Sequence, residues 1–260
     1  MIRSILFLLA AAFVAIINIP ECIYWHFRSK TDKAGAYDKA SRICRRWIGP
    51  IQRLGGVDLT KRGEENLVTD RPALYVGNHQ GDMDILLIMH EFGELYSIIA
   101  KIETKKIPVV SHWMANVDCI FMDRGNPRQT LECIKKAQEL LENGRSVVVF
   151  PEGTRSKGPD MNEFKSGALR CALKAKVPVV PFVIDGTYNV FETQRYLKKA
   201  HVDLSILPPV EPEEYAGMKT HELSAMLQQK IQDELYRLRA ENGNVIPEEE
   251  KKTWNAPQNS

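Results

Sequence analysis

The chain has 260 residues, 44% hydrophobic and 26% charged, an average globular balance with enough apolar mass for a substantial core. That composition excludes a disordered, fibrous or polytopic membrane protein. Thirty-five Lys and Arg against thirty-three Asp and Glu leave a net charge of +2, too small an excess for a dedicated nucleic-acid binder, which must meet many phosphates.

The first predicted element is apolar. Residues 5–19 read ILFLLAAAFVAIINI without a charge, bounded by Arg3 and by Pro20-Glu21. The run falls short of the roughly twenty residues a helix needs to cross the hydrocarbon core. A cleaved signal peptide would carry small residues at its end, whereas here the alanines lie inside the run and bulky residues follow it. A tilted span or a helix lying in one leaflet fits better, with Tyr24 and Trp25 as interfacial anchors.

Basic residues follow at once, and between Ala36 and Ile51 the apolar positions Ala36, Ala40, Ile43, Cys44, Trp47, Ile48 and Ile51 recur at three- and four-residue spacing. This predicts an amphipathic basic helix lying along an anionic leaflet, the alternative being a helix packed on the rest of the protein with a solvated charged face. Residues 1–53 hold nine basic and three acidic side chains, a net +6, which leaves −4 for residues 54–260. The near-neutral total thus conceals a polarised chain. Its expected organisation is a two-helix membrane-binding appendage over residues 1–53, a catalytic domain over 54–242 and a polar tail over 243–260. The positive flank places the appendage on the cytoplasmic face of the cell membrane.

After Gly55-Gly56 short β-rich runs alternate with helical stretches, which predicts an α/β fold, a mixed sheet layered with helices. Strands are expected at 73–77, 95–100, 118–122, 146–150, 179–184 and 202–206. Helices are expected at 84–90, from Asn126-Pro127 to Asn143-Gly144, at 167–176 and at 220–240, the last carried by Leu223, Leu227, Ile231, Leu235 and Leu238. The five cysteines are odd in number, scattered and without a C-x-x-C spacing, so they read as small buried hydrophobes in a reducing compartment rather than as disulfides or a zinc site. No metal or cofactor is expected.

Three polar clusters fall where strands end, the usual place for active residues in this architecture. They are residues 78–84, Asp123-Arg124 and residues 151–156. In the first, His79 and Asp84 are five residues apart, roughly 140° around an ideal helix, so they meet only if the chain turns between them, as Gly81 permits. An imidazole oriented by that carboxylate presents its other nitrogen as a base, the logic of a hydrolase triad with the nucleophile missing. The substrate's own hydroxyl can supply it. The third cluster, Glu152-Gly153-Thr154-Arg155-Ser156, sets amides, hydroxyls and a guanidinium in a tight turn, an anion cradle. Lys101 and Arg124 add positive charge at two other strand ends. Glu152 would repel an anion, so it either holds the loop's own N–H groups or Arg155, or contacts a hydroxyl of the acceptor.

Asn78-His79 with Asp84, Ile120 to Arg124, Phe150 to Ser156 and Val177 to Pro181 together resemble the four ordered blocks of the glycerolipid acyltransferase family, and are most similar to bacterial 1-acylglycerol-3-phosphate (lysophosphatidic acid) acyltransferases. The resemblance extends to the N-terminal appendage. It implies His79 as general base, Asp84 as its orienting partner, and Arg124 with Glu152, Gly153, Thr154 and Arg155 as binders of the glycerol-phosphate acceptor. It implies acyl-CoA or acyl carrier protein as the donor, while the apolar, basic N-terminus points to membrane lipids as partners and the small net charge to no nucleic acid. Lys101 matches a family segment that usually carries Leu where Thr104 stands. The chain offers no convincing serine or cysteine nucleophile beside a base, which favours direct transfer over an acyl-enzyme. Alternative readings are an acyltransferase acting on glycerol-3-phosphate or another lysophospholipid, a non-catalytic phospholipid-binding membrane protein, and a metal-dependent phosphohydrolase built from Asp84, Asp123 and Glu152, which Arg124 and Arg155 would crowd.

Overall fold

The computed structural model describes residues 1–92, 96–123 and 125–244. Seven strands form one sheet in the order β1-β7-β6-β2-β5-β3-β4, where β1 is Val57–Arg62, β2 Leu74–Gly77, β3 Ser97–Lys101, β4 Ile120–Met122, β5 Val147–Val149, β6 Val179–Asp185 and β7 Ala200–Ile206. Every neighbouring pair is parallel except β6 with β7. The five strands from β6 to β4 therefore run the same way and deliver their carboxyl ends to one edge. The expected mixed α/β sheet is what forms, with β1 as a strand that the hydrophobic pattern did not mark.

Strand β2 sits in the middle of the sheet, and its four residues are all buried. A parallel strand covered on both faces reads as a continuous apolar run, which is what Leu74-Tyr75-Val76-Gly77 is. Alternate residues divide between two cores. Leu74, Val76, Val147, Val149, Val179 and Val183 face α6 (Pro127–Glu142), α7 (Arg170–Ala175) and α8 (Thr220–Glu241). Tyr75, Val148, Val180, Phe182 and Ile184 face the other way, toward α4 (Met83–Glu91). The predicted leucine stripe of α8 is realised in full: Leu223, Leu227, Ile231, Leu235 and Leu238 are all 0% exposed. Each contributes roughly 2 kcal/mol of burial. Asn126 caps α6 by accepting from the Gln129 amide, with Pro127 next in line, as the sequence pattern implies.

The appendage differs from expectation in two respects. It holds three helices rather than two: α1 (Ile2–Ile17), α2 (Ile19–Arg28) and α3 (Lys33–Gly55). The break at Asn18, just before Pro20, bends α2 by 48° from α1, and no single described helix is long and apolar enough to span a bilayer. Secondly, the apolar stripe of α3 does not face lipid. Ala36, Ala40 and Ile48 are 0, 1 and 7% exposed, and α3 packs against α4, α1 and α5 (Pro108–Asn116). Small residues permit the approach: a Cβ on Gly49 would lie 2.5 Å from the His90 ring of α4. The basic positions Lys33, Arg42, Arg45 and Arg46 remain on the outer face. The exposed apolar surface belongs instead to α1 and α2, where Ile2, Ile5, Leu8, Leu9, Phe13, Ile16, Ile23 and Phe27 are each more than half exposed. Ser4 joins α1 to the body by accepting from the Leu197 amide at 2.8 Å, and Phe13 meets Trp47 of α3 edge to face.

Cys119, Cys133 and Cys171 are buried, Cys22 and Cys44 half-buried, and all five are free thiols. Burial pushes Cys119 up to about 11 and Cys44 and Cys171 up to about 12.

Candidate active site

The loop after β2 turns sharply at Gln80 and Gly81 before α4 begins, and this turn brings His79 to Asp84. His79 Nδ1 lies 2.7 Å from Asp84 Oδ2. The same oxygen accepts from the amides of Gln80 at 2.7 Å and Gly81 at 2.9 Å, while Asp84 Oδ1 accepts from the Thr187 hydroxyl at 2.5 Å. Asp84 is completely buried in the first turn of α4, where the helix dipole favours a carboxylate. An acidic group with two amides and a hydroxyl aimed at it stays an acceptor, which fixes Nδ1 of His79 as the protonated nitrogen. Nε2 has no hydrogen-bond partner among the described residues and is left as the basic nitrogen.

The imidazole is held from its face as well. It stacks on Phe150 with centroids 4.2 Å apart and planes 20° from parallel. Phe150 in turn meets Phe182 edge to face, and Phe182 meets Phe92. Asn78 extends the ladder between β2 and β6 with its side chain, donating to the Ile184 carbonyl at 2.7 Å and accepting from the Ile184 amide at 2.8 Å. No side chain fits at Gly77, where a Cβ would lie 2.2 Å from the Phe182 ring.

The loop after β5 is clamped onto this one. Ser156 N donates to the His79 carbonyl at 2.7 Å and Lys157 N to the Gln80 carbonyl at 3.1 Å. Glu152 is 2% exposed, and its two oxygens accept from the amides of His79 and Asn162 at 2.7 and 2.8 Å. Of the alternatives open from sequence, the structure places Glu152 on the chain's own N–H groups and not on Arg155. Burial pushes its carboxyl up to about 7, against the pull of those amides. Gly153 takes φ +71° to make the turn. Thr154 is exposed. Arg155 is paired with Asp82 and Glu192.

Lys101 stands at the carboxyl end of β3, on the same sheet edge, 59% exposed and 3.0 Å from Glu103. Thr104 has a local function of its own, donating its hydroxyl to the Lys101 carbonyl at 2.7 Å. Arg124 lies outside the described residues, as does the expected strand start at Leu95 and most of the polar tail.

Several positioning residues were not read from the sequence. Gln80 donates to Asp185 and accepts from the Gly186 amide, and Asp185 is gripped by Arg239 of α8. Gln228 of α8 holds the β5 loop through Phe164 N and Asn162 O. Thr187 lies just beyond the end of β6, so the strand-end rule that marked the other loops could have found it. Glu192 carries no such signal.

The Acyltransferase family model matches residues 58–185, the stretch that holds every residue of this site up to Asp185. The chain is 40% identical over 133 residues to the chloroplastic 1-acyl-sn-glycerol-3-phosphate acyltransferase BAT2 of Brassica napus, which covers 51% of this chain and 38% of that protein. It is 36% identical over 152 residues to a probable 1-acyl-sn-glycerol-3-phosphate acyltransferase of Mycoplasma pneumoniae, covering 57% of each. The crystal structure of the 1-acyl-sn-glycerophosphate (LPA) acyltransferase PlsC from Thermotoga maritima superposes with a TM-score of 0.76 at 30% identity, over 92% of this chain and 97% of that one. The chain belongs to the glycerolipid acyltransferase family. The likeness to the Thermotoga structure extends over nearly the whole of both chains, whereas the chain spans 38 to 57% of the length of these two curated relatives. Within the stretch that the family model matches, His79 and Asp84 stand as a hydrogen-bonded pair.

Proposed function

We infer that the protein transfers a fatty acyl group from an acyl thioester to the free hydroxyl of lysophosphatidic acid, giving phosphatidic acid. The observation that carries this reading is the buried His79–Asp84 pair with Nε2 of His79 left as a base, within a family whose relatives bear that activity in their names. Nε2 takes the proton of the acceptor hydroxyl as its oxygen attacks the thioester carbonyl. Asp84 steadies the imidazolium that forms, and collapse of the tetrahedral adduct expels the thiolate, which recovers the proton from Nε2. The protein makes no covalent bond to the acyl group. Such general-base assistance is worth roughly 10² to 10⁴ in rate.

The acceptor's phosphate is assigned to Arg155, the Gly153–Thr154 turn, Lys101 and Arg124, with acyl-CoA or acyl carrier protein as the donor. Membrane lipid is assigned to the exposed apolar faces of α1 and α2 and anionic headgroups to the basic outer face of α3, on the cytoplasmic side. Purified His79→Ala enzyme of unchanged fold should lose transfer to lysophosphatidic acid, and wild-type turnover by that variant would overturn the assignment.

A further inference from the structure

One nitrogen of Arg155, Nη1, faces two carboxylates of opposite character: Glu192 Oε1 at 3.3 Å and Asp82 Oδ2 in closer contact. The Glu192 side chain is 3% exposed and that of Asp82 68%. Glu192 is fixed in place. Its Oε1 also accepts from the Asp82 amide at 2.8 Å, and its carboxylate lies where a Cβ on Gly81 would come within 2.6 Å. Removing its cation would strand a buried charge. Asp82 is held far more loosely. It occupies the N-cap of α4 yet makes no capping bond with its side chain, and its carboxylate has no partner but Arg155 among the described residues. An exposed pair of this kind is held only weakly against solvent.

We propose that Asp82 is a resident counterion which the acceptor's phosphate displaces from Arg155, so that Asp82 sets how strongly the site prefers a phosphorylated acceptor. The proposal rests on the assignment of Arg155 as a phosphate ligand. A phosphate offers up to two charges and several acceptor oxygens to the fork of a guanidinium that Glu192 keeps oriented. Asp82, repelled by it, turns into water at little cost because it is already mostly solvated. An acceptor without a phosphate has no charge with which to make that exchange and meets an arginine that is already neutralised. Asp82 acts here through Arg155 and touches no reacting atom.

The test measures inorganic phosphate binding to the full-length protein by titration calorimetry, and KM for lysophosphatidic acid beside that for a monoacylglycerol. Asp82 is exposed, so Asp82→Asn should fold as wild type. It should tighten phosphate binding about two- to fivefold and lower KM for lysophosphatidic acid by a similar factor, with KM for monoacylglycerol unmoved. In an Arg155→Gln background, Asp82→Asn should have no effect on phosphate binding. Unchanged phosphate binding in Asp82→Asn overturns the proposal, and so does equal tightening in the Arg155→Gln background, which would mark a diffuse field effect. If the wild type transfers no acyl group but the phosphate results appear as stated, the exchange stands and the assigned reaction falls.

Discussion

The imidazole of His79 lies flat on the ring of Phe150, 4.2 Å away, while Asp84 grips its edge at 2.7 Å. Two constraints at right angles leave the ring little freedom, and only one of them is polar. Phe150→Leu keeps the volume roughly and removes the flat seat. It should lower kcat about threefold to tenfold with a stability loss of roughly 1 kcal/mol, measured by steady-state kinetics and urea denaturation.

Asp84→Asn should be much more severe. An amide in that place can donate to Nδ1 and turn the imidazole to the wrong tautomer, and it confronts the amides of Gln80 and Gly81 with a second donor. We expect kcat to fall by roughly 10² to 10⁴, with KM for the acceptor little changed because Asp84 is buried away from it.

Thr187 hydrogen-bonds the other oxygen of that carboxylate. Thr187→Val retains the shape and deletes the donor, leaving a buried acceptor short of a partner at about 1 to 3 kcal/mol. The outcome is read as a lower urea midpoint with residual activity. A variant as stable as wild type would refute the role.

Glu152 provides a pH signature. Its folded carboxyl titrates near 7, raised from 4.5 by burial. The folded chain therefore binds the proton more tightly, so stability from this group is complete below about pH 4.5 and is lost as pH rises through 7, in total about 3 kcal/mol. Urea midpoints of wild type and Glu152→Gln should be compared from pH 4.5 to 8. The wild type should decline relative to the variant across that window. Parallel curves would remove the assignment.

The outer face of α1 gives a prediction about attachment. Ile5, Leu9 and Ile16 share one helical face and are 56, 61 and 63% exposed. Replacing all three with Ser touches no core position, so the fold should be retained while pelleting with anionic vesicles drops severalfold. Unchanged pelleting would send the anchor elsewhere.

How much of this was legible in the residues depended on the range of the interaction concerned. The strands beginning near Ala73, Ser146 and Val179 announce themselves as apolar runs, and His79 with Asp84 as a spacing that a turn must close. The leucines of α8 repeat at helical intervals and were found for the same reason. The appendage went astray at α3 because a stripe of Ala36, Ala40 and Ile48 looks alike whether lipid or α4 covers it; only the packing decides. Arg155 was legible as a cation, but its pairing with Glu192 was not, since nothing near residue 192 signals a partner 37 positions away. Gln228 and Arg239 are polar residues on a helix otherwise read by its leucines, and their partners come from loops far back in the chain.

The bond between Thr187 and Asp84 joins residues 103 positions apart. A chain leaving the ribosome therefore carries both His79 and Asp84 through about a hundred further steps of synthesis before the hydroxyl that completes the pair exists. The Asn78 side chain likewise waits for Ile184. The pair is complete only when β6 docks beside β2, more than a hundred residues of synthesis after α1 to α3.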